Sequence, residues 1–280
     1  MAGVSSESLT TALAELEAEL PTASLSLAQE LFSILTVLDG SAGLRRSLTD
    51  PSRTGVEKSA LVTSLVKGKV SAQAEAIIGR LAAARWSDAR DIGDALETLA
   101  ATVAIAVAEN RSASATSGNS VSGASALAAL ENDLFSFNQA VESSHEVQRA
   151  LVEPQAAESA KVDLALKLVP GSSEEAKVLI RQAVVHPRGL KTVKLIERFA
   201  NLAAARQQRW IATVSVSRPL EQSQIDRLQR GLNSLYGRVL NVNINVEPSL
   251  IGGVRVRVGD EVVDASVLAR LGELRRQLAG

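Results

Sequence analysis

Leucines recur near the start of the chain at spacings of four, three and four residues. Leu9, Leu13, Leu16 and Leu20 lie on one face that ends at Pro21. That period predicts an amphipathic helix. A second helical pattern runs from Leu25 to Leu38 and closes at Asp39-Gly40. Others occupy 41–49, 54–67, 71–85 and 88–109, with Asp50-Pro51 as a break and Ser or Asp residues placed as N-caps.

The pattern stops between Arg111 and Ser125, where the chain reads SASATSGNSVSGAS. Such a Ser/Gly/Ala run buries too little apolar surface to offset the entropy of ordering it, so a flexible linker is expected. The segment after this run resembles the one before it. Leu31-Phe32-Ser33 returns 103 residues later as Leu134-Phe135-Ser136, and LRRSLTDP (44–51) returns at the same offset as VQRALVEP (147–154). Lys58, Leu61 and Leu65 have Lys161, Leu164 and Leu168 at that offset, and Leu99-Ala100-Ala101 has Leu202-Ala203-Ala204. Apolar positions that coincide while surface positions drift predict a duplicated helical unit.

After Trp210 the period changes to two. Ala212, Val214 and Val216 alternate with Thr213, Ser215 and Ser217, which predicts a strand. A helix is expected from about Glu221 to Tyr236, striped by Ile225, Leu228, Leu232 and Leu235. LNVNINV (240–246) then sets Leu240, Val242, Ile244 and Val246 against three asparagines. Val254, Val256 and Val258 alternate with arginines, and Gly259-Asp260 reads as a hairpin turn into Glu261-Val262-Val263. Asp264 or Ser266 would cap a last helix carrying Leu268, Leu271, Leu274 and Leu278. The expected class is mainly α: two related helical-bundle units (1–110 and 126–210, joined by linker 111–125), then a small β-α-β-β-β-α module over 211–280.

Composition supports helices packed at close range. Aromatic residues make up only 2% of 280, so the cores rest on Ala, Leu, Val and Ile. The net charge of −1 excludes an overall field for nucleic acid or anionic lipid. It is unevenly spread: residues 1–110 carry 9 Lys/Arg against 14 Asp/Glu, residues 111–210 carry 12 against 10, and residues 211–280 carry 9 against 7. The N-terminal twenty residues have neither the basic start nor the apolar run of a signal peptide, and they are acidic where a transit peptide is basic. The longest apolar run, Leu99 to Ala108, is about half of a membrane span. A cytoplasmic protein is expected.

Chemistry is hard to place on this chain. With no cysteine there is no disulfide, thiolate site or cysteine nucleophile. The two histidines, His145 and His186, have no partner at metal-ligand spacing, and His186 sits in a turn-like HPRG stretch. Neither GxxxxGK[ST] nor GxGxxG occurs, and Gly252-Gly253 reads as a turn or bulge. Asp260 and Asp264 are explained by a hairpin turn and a helix cap, and Trp86 and Trp210 by packing near helix ends. The basic run Arg181, His186, Arg188, Lys191, Lys194 and Arg198 has no interleaved aromatics to stack on bases, so a solvated face or a contact with an acidic protein is expected. No catalytic residue, cofactor or metal is expected.

One region carries a signature. VNINVEPSLIGGVRVRVGDEVVDASV resembles the δ (OSCP-type) stator subunit family of F-type ATP synthase. The elements are Glu247, Leu250-Ile251, Gly252-Gly253, Gly259-Asp260, Val262-Val263-Asp264 and Ser266-Val267, with Ala265 where the family usually has glycine. Two bundle units before this module resemble the long form of the subunit found in actinobacteria. The resemblance implies a non-catalytic stator, whose helical part holds the N-terminal helices of α subunits and whose C-terminal module grips the C-terminal end of the b subunit. It also implies that membrane association comes only through the complex.

On that reading Leu9, Leu13, Leu16 and Leu20 would form part of a groove for a partner helix. Leu271, Leu274 and Leu278 would lie in the b contact. Each of these leucines also has a plain reading as internal core. A helical adaptor outside ATP synthase would share the low-aromatic repeats but has no reason to carry the C-terminal signature.

Overall fold

In a computed structural model the chain is described for residues 3–113, 123–208, 211–236, 240–247, 250, 253–258 and 261–264. These fall into two compact units. One comprises Met1–Arg111 and Ala129–Leu202, the other Ser112–Ala128 and Ala203–Gly280.

The first series of helices is α1 (Val4–Glu17), α2 (Leu25–Gly40), α3 (Ala42–Thr49), α4 (Gly55–Val66), α5 (Ala72–Ala83) and α6 (Asp91–Ala113). The second is α7 (Gly123–Glu142), α8 (His145–Val152), α9 (Glu158–Leu168), α10 (Glu174–Val185) and α11 (Thr192–Gln208). Their boundaries reflect local chemistry. Ser24, Ser41, Thr54, Ser71, Ser144 and Ser173 each cap a helix by accepting from the backbone N–H three residues on. Thr54 and Glu57 complete a reciprocal capping box. Of the expected linker, residues 114–122 lie outside the described residues.

The repeat is visible in its hydrogen bonds. Arg45 donates to the carbonyls of Leu38 and Asp39, and Gln148, 103 positions later, donates to those of Val141 and Glu142. Glu30 accepts from the N–H and hydroxyl of Ser71, and Asp133 accepts from the same two groups of Ser173. After α3 and after α8, Asp50 and Glu153 accept from the backbone N–H two residues on. The helices α3 and α8 start 103 residues apart, as do α4 and α9, whereas α5 and α10 start at Ala72 and Glu174, 102 apart. One residue is therefore missing from the connection before α10.

Both copies contribute to the first compact unit. Leu31, Leu35, Ile78 and Leu96 from the first copy and Leu179, Ile180, Leu195 and Phe199 from the second are all essentially inaccessible. Phe32 meets Phe199 across the copies with ring centroids 6.5 Å apart and planes tilted by 58°.

In the second unit β1 (Ile211–Val216), α12 (Gln222–Tyr236), β2 (Asn241–Val246), β3 (Val254–Val258) and β4 (Glu261–Asp264) build a sheet of order β2-β1-β3-β4. β1 runs parallel to β2, with Val214 beside Ile244, and antiparallel to β3, with Val214 beside Val256. A parallel pair needs a crossover, which α12 supplies. The alternating residues Ala212, Val214, Val216, Val256 and Val258 form one apolar face with Leu232 and Leu240, and Leu228 and Tyr236 of α12 pack against it. The expected turn at Gly259-Asp260, the last helix and Trp210 lie outside the described residues.

Candidate partner-binding surfaces

The helix α1 is docked along α5 by polar contacts near both ends. At its start, the Ser8 hydroxyl donates to the carbonyl of Arg85 at 2.7 Å, and the Ser87 N–H donates to the Ser5 hydroxyl at 2.8 Å. Toward its end, Arg80 of α5 bonds Glu19 and lies 3.4 Å from Glu15. Beyond α1, the Asn110 amide donates to the Leu20 carbonyl at 2.7 Å. Leu16 and Leu20 are 1% exposed and belong to the core, whereas Leu9 and Leu13 are half-buried and edge the α1 surface. Leu271, Leu274 and Leu278 lie outside the described residues.

Beside this helix, α4 and α5 enclose a cleft of about 500 Å³ lined by small side chains, among them Ser59, Thr63, Ala76, Gly79 and Ala83, with Glu75 and Arg80 as its charged members. Gly79 lets α5 come close to α4 here, because a Cβ would stand 3.0 Å from the Ser59 hydroxyl. A second cleft, of about 620 Å³, stands at the corresponding place in the second copy. Its lining residues Val162, Val178, Arg181, Gln182 and Val185 occupy the positions of Ser59, Ala76, Gly79, Arg80 and Ala83. Its other flank is α2 of the first copy, through Gln29, Phe32, Ser33 and Thr36. The face of α5 that receives α1 thus has a counterpart on α10 that receives α2.

Charge holds that arrangement. In the loop before α11, Arg188 has φ 52°, in the left-handed region where non-glycine residues are uncommon. Its side chain is 8% exposed, and the guanidinium reaches back to the first copy. Nε donates to Asp39 at 2.6 Å, and Nη1 lies 2.8 Å from Asp94, out of line for a hydrogen bond, and 3.6 Å from Glu97. Arg90 donates to the Arg188 carbonyl at 2.8 Å, and Arg198 of α11 reaches Glu97 at 3.4 Å and the Thr98 hydroxyl at 2.9 Å. Burial pushes the Glu97 carboxyl above the usual carboxylate range; Arg188 and Arg198 oppose that shift, and Asp94 and Asp39 add to it. The uneven charge of the sequence therefore has an internal meaning: the acidic first copy is the acidic partner of Arg188 and Arg198.

The rest of the basic run divides. Lys191 and Lys194 are exposed, with Lys194 paired to Glu197 at 2.7 Å, and His186 is half-buried on the second cleft. Trp86 is a packing residue, 7% exposed, with its indole N–H donated to the Leu81 carbonyl at 3.0 Å. Among the described residues no three His, Cys, Asp or Glu side chains are placed to hold a metal ion, and no helix is long and apolar enough to cross a membrane.

The sheet module, the repeated helices and the signature over 242–267 can be set against known proteins. The family profile described as ATP synthase delta (OSCP) subunit matches residues 109–278. The ATP synthase subunit delta of Pseudarthrobacter chlorophenolicus is 72% identical over 280 residues, covering all of both chains. The chain belongs to the ATP synthase delta (OSCP) subunit family. A delta subunit is a component of the peripheral stalk of ATP synthase. The subunit delta of Arthrobacter sp. is 70% identical over 280 residues and that of Thermobifida fusca 37% over 282, again along the full length of both chains. These relatives extend through the first helical copy, which precedes the segment matched by the delta profile. A chain of the Toxoplasma gondii mitochondrial ATP synthase hexamer covers 64% of this chain and 97% of its own at 17% identity and a TM-score of 0.31, too loose a likeness to argue from.

Proposed function

We infer that this delta subunit is a non-catalytic stator element that ties the F1 head to the b-subunit stalk, so that proton flow through Fo is coupled to ATP synthesis. The observation that carries this is the end-to-end likeness, at 72% identity, to a protein named ATP synthase subunit delta. The helical unit holds the N-terminal helices of α subunits, and the α/β module holds the C-terminal end of b. The cleft on α4–α5 and the one that α2 forms with α9 and α10 suit such a role: each is a groove between helices, walled by side chains that a partner helix can cover. Two grooves on one subunit allow several moderate contacts to add through avidity. The subunit works at the cytoplasmic face of the bacterial cell membrane and is held there through the complex.

The test is native co-purification of the tagged full-length chain from its own membranes. Recovery of α, β and b is expected, and recovery of none of them would sink the stator reading.

A further inference from the structure

A third cavity lies on the first helical copy, next to the α4–α5 cleft with which it shares Ala83, and its chemistry differs from that of the two clefts. It has a volume of about 580 Å³ and lies where the start of α4 meets the end of α5. Arg53, Lys58 and Arg85 line it, together with the polar residues Thr49 and Ser87 and the aromatic Trp86. Gly55, the first residue of α4, is part of its wall and fits there because a Cβ would stand 2.8 Å from the Ala83 carbonyl oxygen.

The decisive residue is Lys58. Its side chain is buried, with the residue only 3% exposed, yet among the described residues its ammonium has no hydrogen bond and no carboxylate within 4.0 Å. The ammonium tip is the part that still meets solvent, so the cavity holds an unpaired cation within reach of a dissolved anion. The nearby acids are engaged elsewhere. Asp50 feels the charge of Lys58, but it is bonded to the Ser52 hydroxyl and N–H and paired with Arg53 at 4.0 Å. Glu57 closes the capping box with Thr54. Arg85 is exposed and has no carboxylate partner among the described residues. With Arg53 set against Asp50, Lys58 and Arg85 line one cavity with no carboxylate of the described residues within 4.0 Å of either.

We propose that this cavity is an oxyanion site that takes a phosphate group. A phosphate monoester carries about −1.5 to −2 charges at neutral pH with three strong acceptor oxygens, which suits two unpaired cations flanked by hydroxyl groups. A carboxylate brings one charge and two oxygens, and leaves one cation unsatisfied. The site is a property of the first copy. At the corresponding positions of the second copy Ala156 replaces Arg53, Glu158 replaces Gly55, and Lys161 is only half-buried. It also lies outside residues 109–278, so nothing in the match to the delta profile assigns it.

Trp86 lines the cavity and supplies the readout. The full-length Trp210→Phe protein, in which Trp86 is the sole indole, is titrated at constant ionic strength with inorganic phosphate, glycerol phosphate and acetate, with calorimetry in parallel. Saturable binding of phosphate or of the ester is expected, with acetate weaker. Affinity should fall at least tenfold in Lys58→Met and in Arg85→Gln. A preference for inorganic phosphate identifies the free ion as the ligand, and a preference for the ester identifies a phosphate carried on an organic molecule. Because Arg85 is exposed, its variant keeps the test valid if Lys58→Met does not fold by circular dichroism. No saturable binding of either phosphate species, tighter binding of acetate, or unchanged affinity in the folded variants would overturn the proposal.

Discussion

Arg188 donates through Nε to Oδ2 of Asp39 at 2.6 Å, joining two residues 149 positions apart and two copies of one repeat. The same guanidinium is the nearest cation to Asp94 and sits beside Glu97. Arg188→Met would leave these three carboxylates facing one another. Breaking a buried pair from one side costs about 3–5 kcal/mol, and urea unfolding of the variant should show a loss of that order.

Gly93 of α6 lies under the same guanidinium. A Cβ there would stand 2.5 Å from Arg188 Nη2, with Asp39 Oδ1 at 3.5 Å. The guanidinium is pinned by carboxylates and has little freedom to move aside, so Gly93→Ala should destabilise by about 1–3 kcal/mol. In an Arg188→Met background that penalty should vanish and leave the helix preference of Ala over Gly, about 1 kcal/mol. A double-mutant cycle measures the difference.

Glu97 gives the charge cluster a pH signature. Unfolded, its carboxyl titrates near the ordinary value of 4.5; folded, burial delays the loss of the proton. Between those points the folded state holds a proton that the unfolded state has released. Its contribution to stability is therefore complete below the unfolded pKa and drains away as pH rises through the folded one. The stability of the native protein minus that of Glu97→Gln should fall as pH rises from 4.5 toward neutrality. A flat or rising difference contradicts the assignment.

The leucine stripe of α1 separates binding from folding. Leu16→Ala or Leu20→Ala removes a side chain 1% exposed and should cost about 2–5 kcal/mol in unfolding. Leu9→Ala and Leu13→Ala act at half-buried positions. They should cost less than that and weaken capture of α subunits in the co-purification assay. Equal stability losses at all four positions, with no change in capture, would assign the whole stripe to the core.

The helix faces and the sheet were legible because periods of 3.6 and 2 are written position by position. Val214 and Val256 needed only their alternation to be placed on one apolar face. The repeat was legible wherever the connections kept their length, which is why Arg45 and Gln148 align at an offset of 103. It was hidden across α5 and α10, where a one-residue deletion shifts Ala74 onto Ala176 and Ile78 onto Ile180. Periodicity also says that a position is polar without saying what faces it. Arg188 and Lys194 read alike in the sequence, yet one is buried against Asp39 and the other is exposed and paired with Glu197 along its own helix. Lys58 is a further case, since tertiary packing alone buries its side chain. The stripe of α1 shows depth to be equally invisible: Leu9 and Leu20 share a face, and tertiary packing alone separates them.

Two helices that meet only through apolar side chains resist being pulled apart but slide with little penalty, since each lost contact is replaced by another of similar quality. Phe32 against Phe199 is a contact of that kind. Arg188 removes the freedom to slide, because carboxylates from two helices fix one guanidinium from different directions and a sideways step misaligns all of them together. The two copies are therefore locked against shear, and a tangential load applied to either is shared by both.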